Sequence, residues 1–546
     1  MKRGLMWVVI IVALLVGAGA FAWHRYWLYV PGLLSDWNDP VQPNHAVVWA
    51  AGPATPATPA NQRPPNIILI VADDLGINDI STNGGGFAGG SVPTPNIDRL
   101  AAQGLQFTNA YAANATCSPS RATMMTGRYA TRFGFEYTAV PVQFAQNLQH
   151  GAGLGPHHAI FHEELANNVI DYPQMGVPQS EVTIAELLRA QGYHTMHIGK
   201  WHLGEATALS PLAQGFDESL QITGGASLFL PEGDASGVDA KLPFDPIDRF
   251  LWANLRYAVK WNSGPRFAAT GHLTDYFTDQ AMRAVEANRE RPFFMYLAYN
   301  APHTPLQATR ADYDALPGIA DHKTRVYGAM VRQLDRRIGD LMARLDQLGM
   351  AENTLVIFTS DNGGAWYTGI PNLNAPYRGW KATFFEGGIR APLTMRWPAR
   401  IAAGSRRSDV TGHLDLFATM AAAGGARVPT DRIIDSQNVL AGPAQREAIY
   451  WRSGGYRVIR QGNWKLQVTQ RPAQVRLYNL ADDPTEHHDL SAAQPERVAT
   501  MRAMLEAHNR GMAAPLWPGL LEGPVRIDVP LNAPWREGQD YIYWAN

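Results

Sequence analysis

The sequence predicts an α/β fold: a large, mostly parallel central sheet flanked by helices, with a smaller C-terminal antiparallel sheet plus one helix. Three observations predict it. A pattern of helix, glycine and apolar strand recurs along the chain. Its strands are continuous apolar runs, as expected where both faces of a sheet are covered. From about Ile449 the pattern changes to short strands separated by turns.

In chain order, Asn66-Ile-Ile-Leu-Ile-Val71 is the first apolar run. Residues 98–104 read as a helix end capped by Gly104, before a strand at 105–109. Residues 184–192 repeat that arrangement before a strand at 193–198. From Val326 to Leu348, Met330, Leu334, Ile338 and Leu345 recur at helical spacing, the helix stops near Gly349, and 355–359 is the next strand. Short strands follow at 456–460, 464–468 and 475–479, then a helix at 495–508. Two long inserts, 140–178 and 224–270, carry Pro, Gly and aromatic residues and are expected to wall a pocket. The tail after Leu516 holds Trp517, Trp535, Tyr541, Tyr543 and Trp544, which are expected to dock it onto the body.

The formal net charge of −2 gives no global field for nucleic acid. Lys2 and Arg3 precede an uncharged run from Gly4 to Trp23. That run is long enough to span a bilayer, and the preceding positive charges would stay cytoplasmic. The expectation is therefore an exported chain anchored by 1–23, with cleavage near Ala20-Phe21-Ala22 as the alternative. Residues 24–65, rich in Pro, Ala and Thr, read as an extended linker. Residues 66–448 form the catalytic domain in this division, and 449–546 a C-terminal subdomain and tail.

Four of the strands run into polar groups. Asp73 and Asp74 follow the first, Lys200 and His202 the one at 193–198, His303 the one at 293–298, and Asp361 and Asn362 the one at 355–359. Ligands of open α/β sheets bind at the carboxyl ends of strands, so a parallel sheet would gather these groups on one edge. Asp73, Asp74, Asp361 and Asn362 offer oxygen ligands with no thiolate or imidazole, a set that suits Ca²⁺ or Mg²⁺ and not zinc. Several direct protein ligands favour Ca²⁺ over Mg²⁺.

Cys117 is the single cysteine, in Cys117-Ser-Pro-Ser-Arg121-Ala-Thr-Met-Met-Thr-Gly-Arg128. Pro119 suits a first helical turn and Gly127 a helix stop, which puts Cys117 at a helix N-terminus with Arg121 about one turn along. This stretch resembles the C-x-P-S-R signature of the type I sulfatases, within the alkaline-phosphatase superfamily. Four further segments resemble that family in its order: Asp73-Asp74-Leu-Gly, Gly192 through Lys200-Trp-His202-Leu-Gly, Ala301-Pro-His303-Thr-Pro, and Asp361-Asn362-Gly-Gly. Arg378-Gly-Trp-Lys381 and Glu386-Gly-Gly-Ile-Arg390 extend the match.

The resemblance implies a sulfatase that hydrolyses aryl or carbohydrate sulfate monoesters. In it a maturation enzyme converts Cys117 to formylglycine, and Asp73, Asp74, Asp361, Asn362 and residue 117 hold one divalent ion. Cys117, Arg121, Lys200, His202, His303 and Lys381 are then the catalytic residues. Lys381 or His303 protonates the leaving alcohol, and His202 takes a proton from the second hydroxyl of the hydrated aldehyde. The Lys381 and Glu386 segments look closest to arylsulfatase and N-acetylgalactosamine-4-sulfatase. A phosphohydrolase of the same superfamily, or a tethered sulfated-glycan binder with unmatured Cys117, are the other classes. His194, His197, His413, Asp415 and Asp482-Asp483 read as structural.

Overall fold

The structure is a computed structural model and describes residues 2–55, 58–59, 62–149 and 155–546. Among them ten strands form the central sheet. In chain order they are β1 (Asn66–Ala72), β2 (Leu105–Phe107), β3 (His194–Gly199), β4 (Glu218–Gln221), β5 (Val259–Trp261), β6 (Arg266–Phe267), β7 (Phe293–Ala298), β8 (Thr354–Ser360), β9 (Leu393–Arg396) and β10 (Ser405–Arg407). Their spatial order is β10-β2-β9-β8-β1-β7-β3-β4-β5-β6. The five central strands, β8-β1-β7-β3-β4, are parallel. Beyond them β9 and β5 turn antiparallel. The α/β reading is thus borne out, with a mixed sheet whose parallel part is central.

The helices used below are α1 (Lys2–Tyr26), α2 (Val30–Asn38), α3 (Pro95–Ala102), α4 (Cys117–Thr126), α5 (Val142–Gln149), α6 (Ile184–Ala190), α7 (Pro246–Asn254), α8 (Leu273–Ala287), α9 (His322–Gln347), α10 (His413–Ala423) and α11 (Pro495–Arg510). Strand alternation divides the core into two faces. Ile68 and Ile70 point to one face with Phe277 of α8 and Met330, Leu334 and Ile338 of α9. Ile67, Leu69 and Val71 point to the other with Met124 of α4, Leu188 of α6 and Phe417 of α10. β1 is buried on both sides, which is why its sequence is a continuous apolar run.

The C-terminal sheet is β11 (Ile449–Ser453), β12 (Tyr456–Gln461), β13 (Trp464–Gln470) and β14 (Ala473–Asn479), antiparallel and in that order. Ile459, Leu466 and Leu477 meet Met501 and Leu505 of α11 on one face. Trp451, Tyr456 and Val458 meet Phe384 and Phe385 on the other. The aromatic tail docks as expected: Trp517 packs edge-on against Phe135 at 4.9 Å, and Trp544 against Phe384 at 5.0 Å. It also pairs two strands, 521–526 and 541–545, with a short strand at 160–161.

The N-terminal region differs from the sequence expectation. Among the described residues no helix is long and apolar enough to cross a membrane. The spanning anchor read from Gly4–Trp23 is therefore not borne out. α1 covers that run, and the side chains of Leu5, Val9, Ala20 and Trp23 lie outside the described residues. The stretch read as an extended linker is helical over α2 and then lies along the body. Val47 and Trp49 are buried, Trp49 Nε1 donates to Gln280 Oε1 at 3.0 Å, and Ala50 N donates to Glu218 Oε1 at 2.8 Å. Burial of Trp49, a large apolar surface, is the physical reason this segment does not stand free. Of the repeats within 51–60, positions 56, 57 and 60 lie outside the described residues.

Candidate active site

The register of the parallel strands builds the site. β1 pairs Ala72 with Ser360 of β8 and Val71 with Ala298 of β7, and β7 pairs Ala298 with Gly199 of β3. The residues that follow, Asp73, Asp361 and Lys200, therefore emerge side by side. Gly199 is required there: its φ is +106°, and a Cβ would lie 1.9 Å from the Ala298 carbonyl oxygen. Asp74 (φ 63°) and His202 (φ 58°) hold left-handed backbone, a strained state for residues with side chains.

α4 brings Cys117 in from another element. Its first residue is Cys117, and Gly127 at φ +67° ends it, with Gly127 N bonded to the Thr123 carbonyl at 2.9 Å. All ten residues of the helix are buried. The Cys117 thiol lies 3.5 Å from Asp73 Oδ1 and 3.9 Å from Asp74 Oδ1. Asp73, Asp74, Cys117 and His303 offer ligand atoms all within 4.8 Å of one another.

Every predicted site residue converges here. Lys200 Nζ donates to Asp73 Oδ2 at 2.7 Å. Lys381 Nζ donates to Asp74 Oδ2 at 2.8 Å. Asn362 Nδ2 donates to Asp74 Oδ1 at 2.8 Å, and Asp74 N donates to Asp361 Oδ1 at 3.2 Å. His303 Nε2 stands 3.6 Å from Asp74 Oδ2. Arg121 is fully buried: Nε donates to Asp361 Oδ2 at 2.9 Å and Nη1 to the Lys200 carbonyl at 3.1 Å and Tyr296 Oη at 3.2 Å, while Nη2 makes no hydrogen bond and faces Asp361 Oδ2 at 2.8 Å and Asp73 Oδ1 at 3.6 Å as an ion pair. It braces the site from below.

Three buried carboxylates so close together strain one another electrostatically. Burial pushes Asp73 up to about 7, with Asp361 and Asp74 adding to the rise against Lys200 and Arg121. Burial also raises Asp361 and Asp74, yet nearby cations hold both below the usual carboxylate range: Arg121, Lys200 and Lys381 for Asp361, and Lys381 for Asp74. Burial, and then the charges of Lys381 and Lys200, drive His303 down to about 3 against the pull of Asp74. His202 is depressed by burial and by Lys200. Both imidazoles are neutral. His202 Nε2 and His303 Nδ1 each face a backbone carbonyl, of Ala139 at 2.8 Å and Thr304 at 2.6 Å. A carbonyl only accepts, so those nitrogens carry the hydrogens, and His202 Nδ1 and His303 Nε2 keep lone pairs.

A divalent cation fits this chemistry. Asn362 Oδ1 is buried with no hydrogen-bond partner, an unmet acceptor that a cation satisfies. With Asp73, Asp74 and Asp361 it supplies hard oxygen ligands, and a divalent charge relieves the crowding of the carboxylates.

A cavity of about 680 Å³ opens above this floor. Cys117, Lys200, His202, His303 and Lys381 reach it, whereas Arg121 and the four oxygen-bearing residues lie beneath. Its walls come from the two inserts, through α5 and α7, from α2, and from the C-terminal tail, through Leu521, Pro524, Val525, Leu531 and Trp544. Tyr367, which sequence reasoning missed, also lines it and donates to Asp74 Oδ2 at 2.8 Å. The residues read as structural have their partners elsewhere, although His197 Nε2 is buried with none. His194 Nε2 meets Glu218 Oε2 at 2.7 Å, His413 Nε2 meets Thr359 Oγ1 at 3.1 Å, His197 Nδ1 meets Ser219 Oγ at 3.0 Å, and Asp415 pairs with Arg446. At the acidic turn, Asp482 Oδ2 accepts from the Asn479 side-chain amide, and Asp483 Oδ2 from His488 N at 2.7 Å.

The Sulfatase family model matches residues 65–426.

The chain belongs to the sulfatase family.

Among curated relatives, this sulfatase is 32% identical over 425 residues to the N-acetylgalactosamine-6-sulfatase of Mus musculus, covering 74% of this chain and 72% of that protein. It is 33% identical over 465 residues to the steryl-sulfatase of Mus musculus, covering 73% of this chain and 68% of that one. Among solved structures it resembles Ps i-CgsB in complex with k-i-k-neocarrahexaose, with a TM-score of 0.69 and 32% identity over 83% of this chain and 95% of that one. It is accordingly a sulfuric ester hydrolase, releasing sulfate from a sulfate ester.

Proposed function

We propose that this sulfatase acts through a formylglycine formed from Cys117 and one bound divalent cation, Ca²⁺ in preference to Mg²⁺. The observation that supports this best is the setting of Cys117. It opens a buried helix at the floor of the cavity, with Asp73, Asp74 and His303 around its sulfur. Burial pushes the thiol pKa up, so an unmodified cysteine would be a poor nucleophile. Asp73, Asp74, Asp361, Asn362 and residue 117 would hold the cation, which would neutralise negative charge on the sulfate group and on the nucleophilic oxygen. Hydrated formylglycine supplies one hydroxyl to displace the alcohol from sulfur and a second that lets the aldehyde reform as sulfate leaves.

The chain's own residues bind, orient and move protons. Lys200 and Lys381 set two ammonium charges at the cavity floor to bind the sulfate oxygens. Arg121 positions Asp361, which accepts the proton of the attacking hydroxyl. Lys381, held as a cation by Asp74, donates to the leaving oxygen. His303, neutral and with its one hydrogen committed to the Thr304 carbonyl, has no proton to give the leaving oxygen, which leaves that role to Lys381. The lone pair on His202 Nδ1 takes the proton of the second hydroxyl. Tyr367 fixes the Asp74 carboxylate between Lys381 and Asn362.

In this reading 66–448 is the catalytic domain and 449–546 the C-terminal subdomain. The chain is exported, and a maturation enzyme acts on Cys117 before folding buries it. The charged start and apolar run at 2–23 support export. The mass of the tryptic peptide spanning Cys117, from protein made in the native host, tests the proposal. A thiol converted to an aldehyde or its hydrate, with sulfate release from sulfate esters, is the expected result. A plain cysteine in protein that still turns over sulfate esters overturns it.

A further inference from the structure

We infer that the alcohol of the natural substrate is a bulky, largely apolar ring system, held in a box whose third wall is the N-terminal helix α2. This deepens the sulfatase reading above and rests on it. Above the cationic floor the walls are apolar: Phe144 from α5, Ile247, Phe250 and Leu251 from α7, and Ile222 after β4. Phe144 and Phe250 meet edge to face, 5.3 Å between centroids at 87°, and tie the two inserts together.

α2 lies outside the residues matched by the family model, yet Pro31 and Gly32 line the cavity. Gly32 N donates to Asn254 Oδ1 at 2.8 Å at the end of α7. A Cβ at Gly32 would lie 2.9 Å from Arg256 Nη2 and 3.0 Å from the Ala253 carbonyl, so glycine lets α2 lie against α7.

The charged side chains of these walls are already engaged. Arg256 pairs with Asp36 at 2.6 Å and Arg266 with Asp39 at 3.0 Å, which clamps α2 down. Asp245 accepts from Ile247 N at 3.0 Å and Asp248 N at 3.1 Å as the cap of α7. Glu205 is engaged by Tyr172, by the Gly224 amide and by the charge of Lys260. A sugar seated between these walls would strip water from hydroxyls that face Phe144, Ile247, Phe250 and Leu251, whereas an apolar ring gains by burial there.

Binding to the Cys117→Ala protein tests this without any chemistry at position 117. The probes are methyl sulfate, phenyl sulfate, 2-naphthyl sulfate and N-acetylgalactosamine 6-sulfate, followed by calorimetry. Affinity is expected to rise about tenfold with each added ring, and 2-naphthyl sulfate to bind tighter than the sugar sulfate. Phe250→Ala and, separately, Phe144→Ala on the half-buried face of α5 should each narrow the naphthyl-to-methyl ratio about tenfold. Tighter binding of the sugar sulfate overturns the inference. So does an unchanged ratio in variants whose Tm stays near that of the parent. A plain cysteine at 117 in native protein would sink the formylglycine mechanism and leave this binding series standing, so the two failures are distinct.

Discussion

At the residue scale, Cys117 separates chemistry from stability. Its side chain makes only long contacts to Asp73 and Asp74, so Cys117→Ala should cost about 1 kcal/mol of stability. Turnover should fall below about a thousandth of the parent rate, because no other group at the floor can take the role of the nucleophile. Steady-state sulfate release together with thermal unfolding of the same preparation checks both halves. Asp79 offers a residue-scale test away from the reacting groups. Burial pushes its carboxyl up to about 8, although Tyr327 Oη and Gly76 N each donate to it at 2.7 Å. The folded protein therefore keeps a proton that the unfolded chain, with its ordinary value of 3.8, has already released. Stability is fullest below that ordinary value and declines as pH rises toward about 8, then levels. Asp79→Asn removes this decline. The Tm of the parent minus that of the variant should fall from pH 5 to about pH 8, and a flat difference would refute the buried-acid assignment.

At the element scale, the glycine-rich segment after Lys381 reads in sequence as part of the site but works as a joint. Glu386 is fully buried and meets Lys465 Nζ of β13 at 2.9 Å, Arg390 Nε at 3.0 Å and Tyr111 Oη at 2.7 Å. Lys465 also meets Glu486 Oε1 at 2.9 Å, and Glu486 Oε2 accepts from Glu386 N at 2.6 Å. This closed polar network fastens the C-terminal sheet to the loop that carries Lys381. Lys465→Met leaves Glu486 buried without its cation and Glu386 with Arg390 alone, and we expect a loss of about 3–5 kcal/mol, read by denaturant unfolding. Activity per folded molecule should fall as well, since Lys381 hangs from the same loop. A variant as stable as the parent would show that the network does not join the two parts.

At the scale of the whole molecule, the proposed cation would tie together three chain segments far apart in sequence: 73–74, 117 and 361–362. Removing it with a chelator should lower Tm by several degrees and abolish sulfate release, because a ligand bound only by the folded state stabilises it by mass action. Ca²⁺ should restore both at lower concentration than Mg²⁺. An unchanged Tm after exhaustive chelation, with activity retained, would rule the cation out.

Much of this was legible in the sequence. The continuous apolar runs, each followed by an acidic, basic or amide residue, determined the parallel core and which strand ends carry Asp73, Lys200, His303 and Asp361, because a strand buried on both faces must be apolar until it leaves the sheet. The Cys117 segment, with Pro119 and Gly127 as helix start and stop, was equally plain, since those signals are local. Other features were decided only by tertiary structure. Arg121 braces Asp361 beneath the floor, Tyr367 holds Asp74, and Glu386 joins two sheets; each depends on a partner from another segment, which spacing along one chain does not encode. Residues 30–50, read as linker from their composition, became a cavity wall because Trp49 and the Asp36–Arg256 and Asp39–Arg266 pairs find their complements only after the body has folded. Local preference fixes the elements; burial and charge pairing between distant elements decide which of their side chains meet.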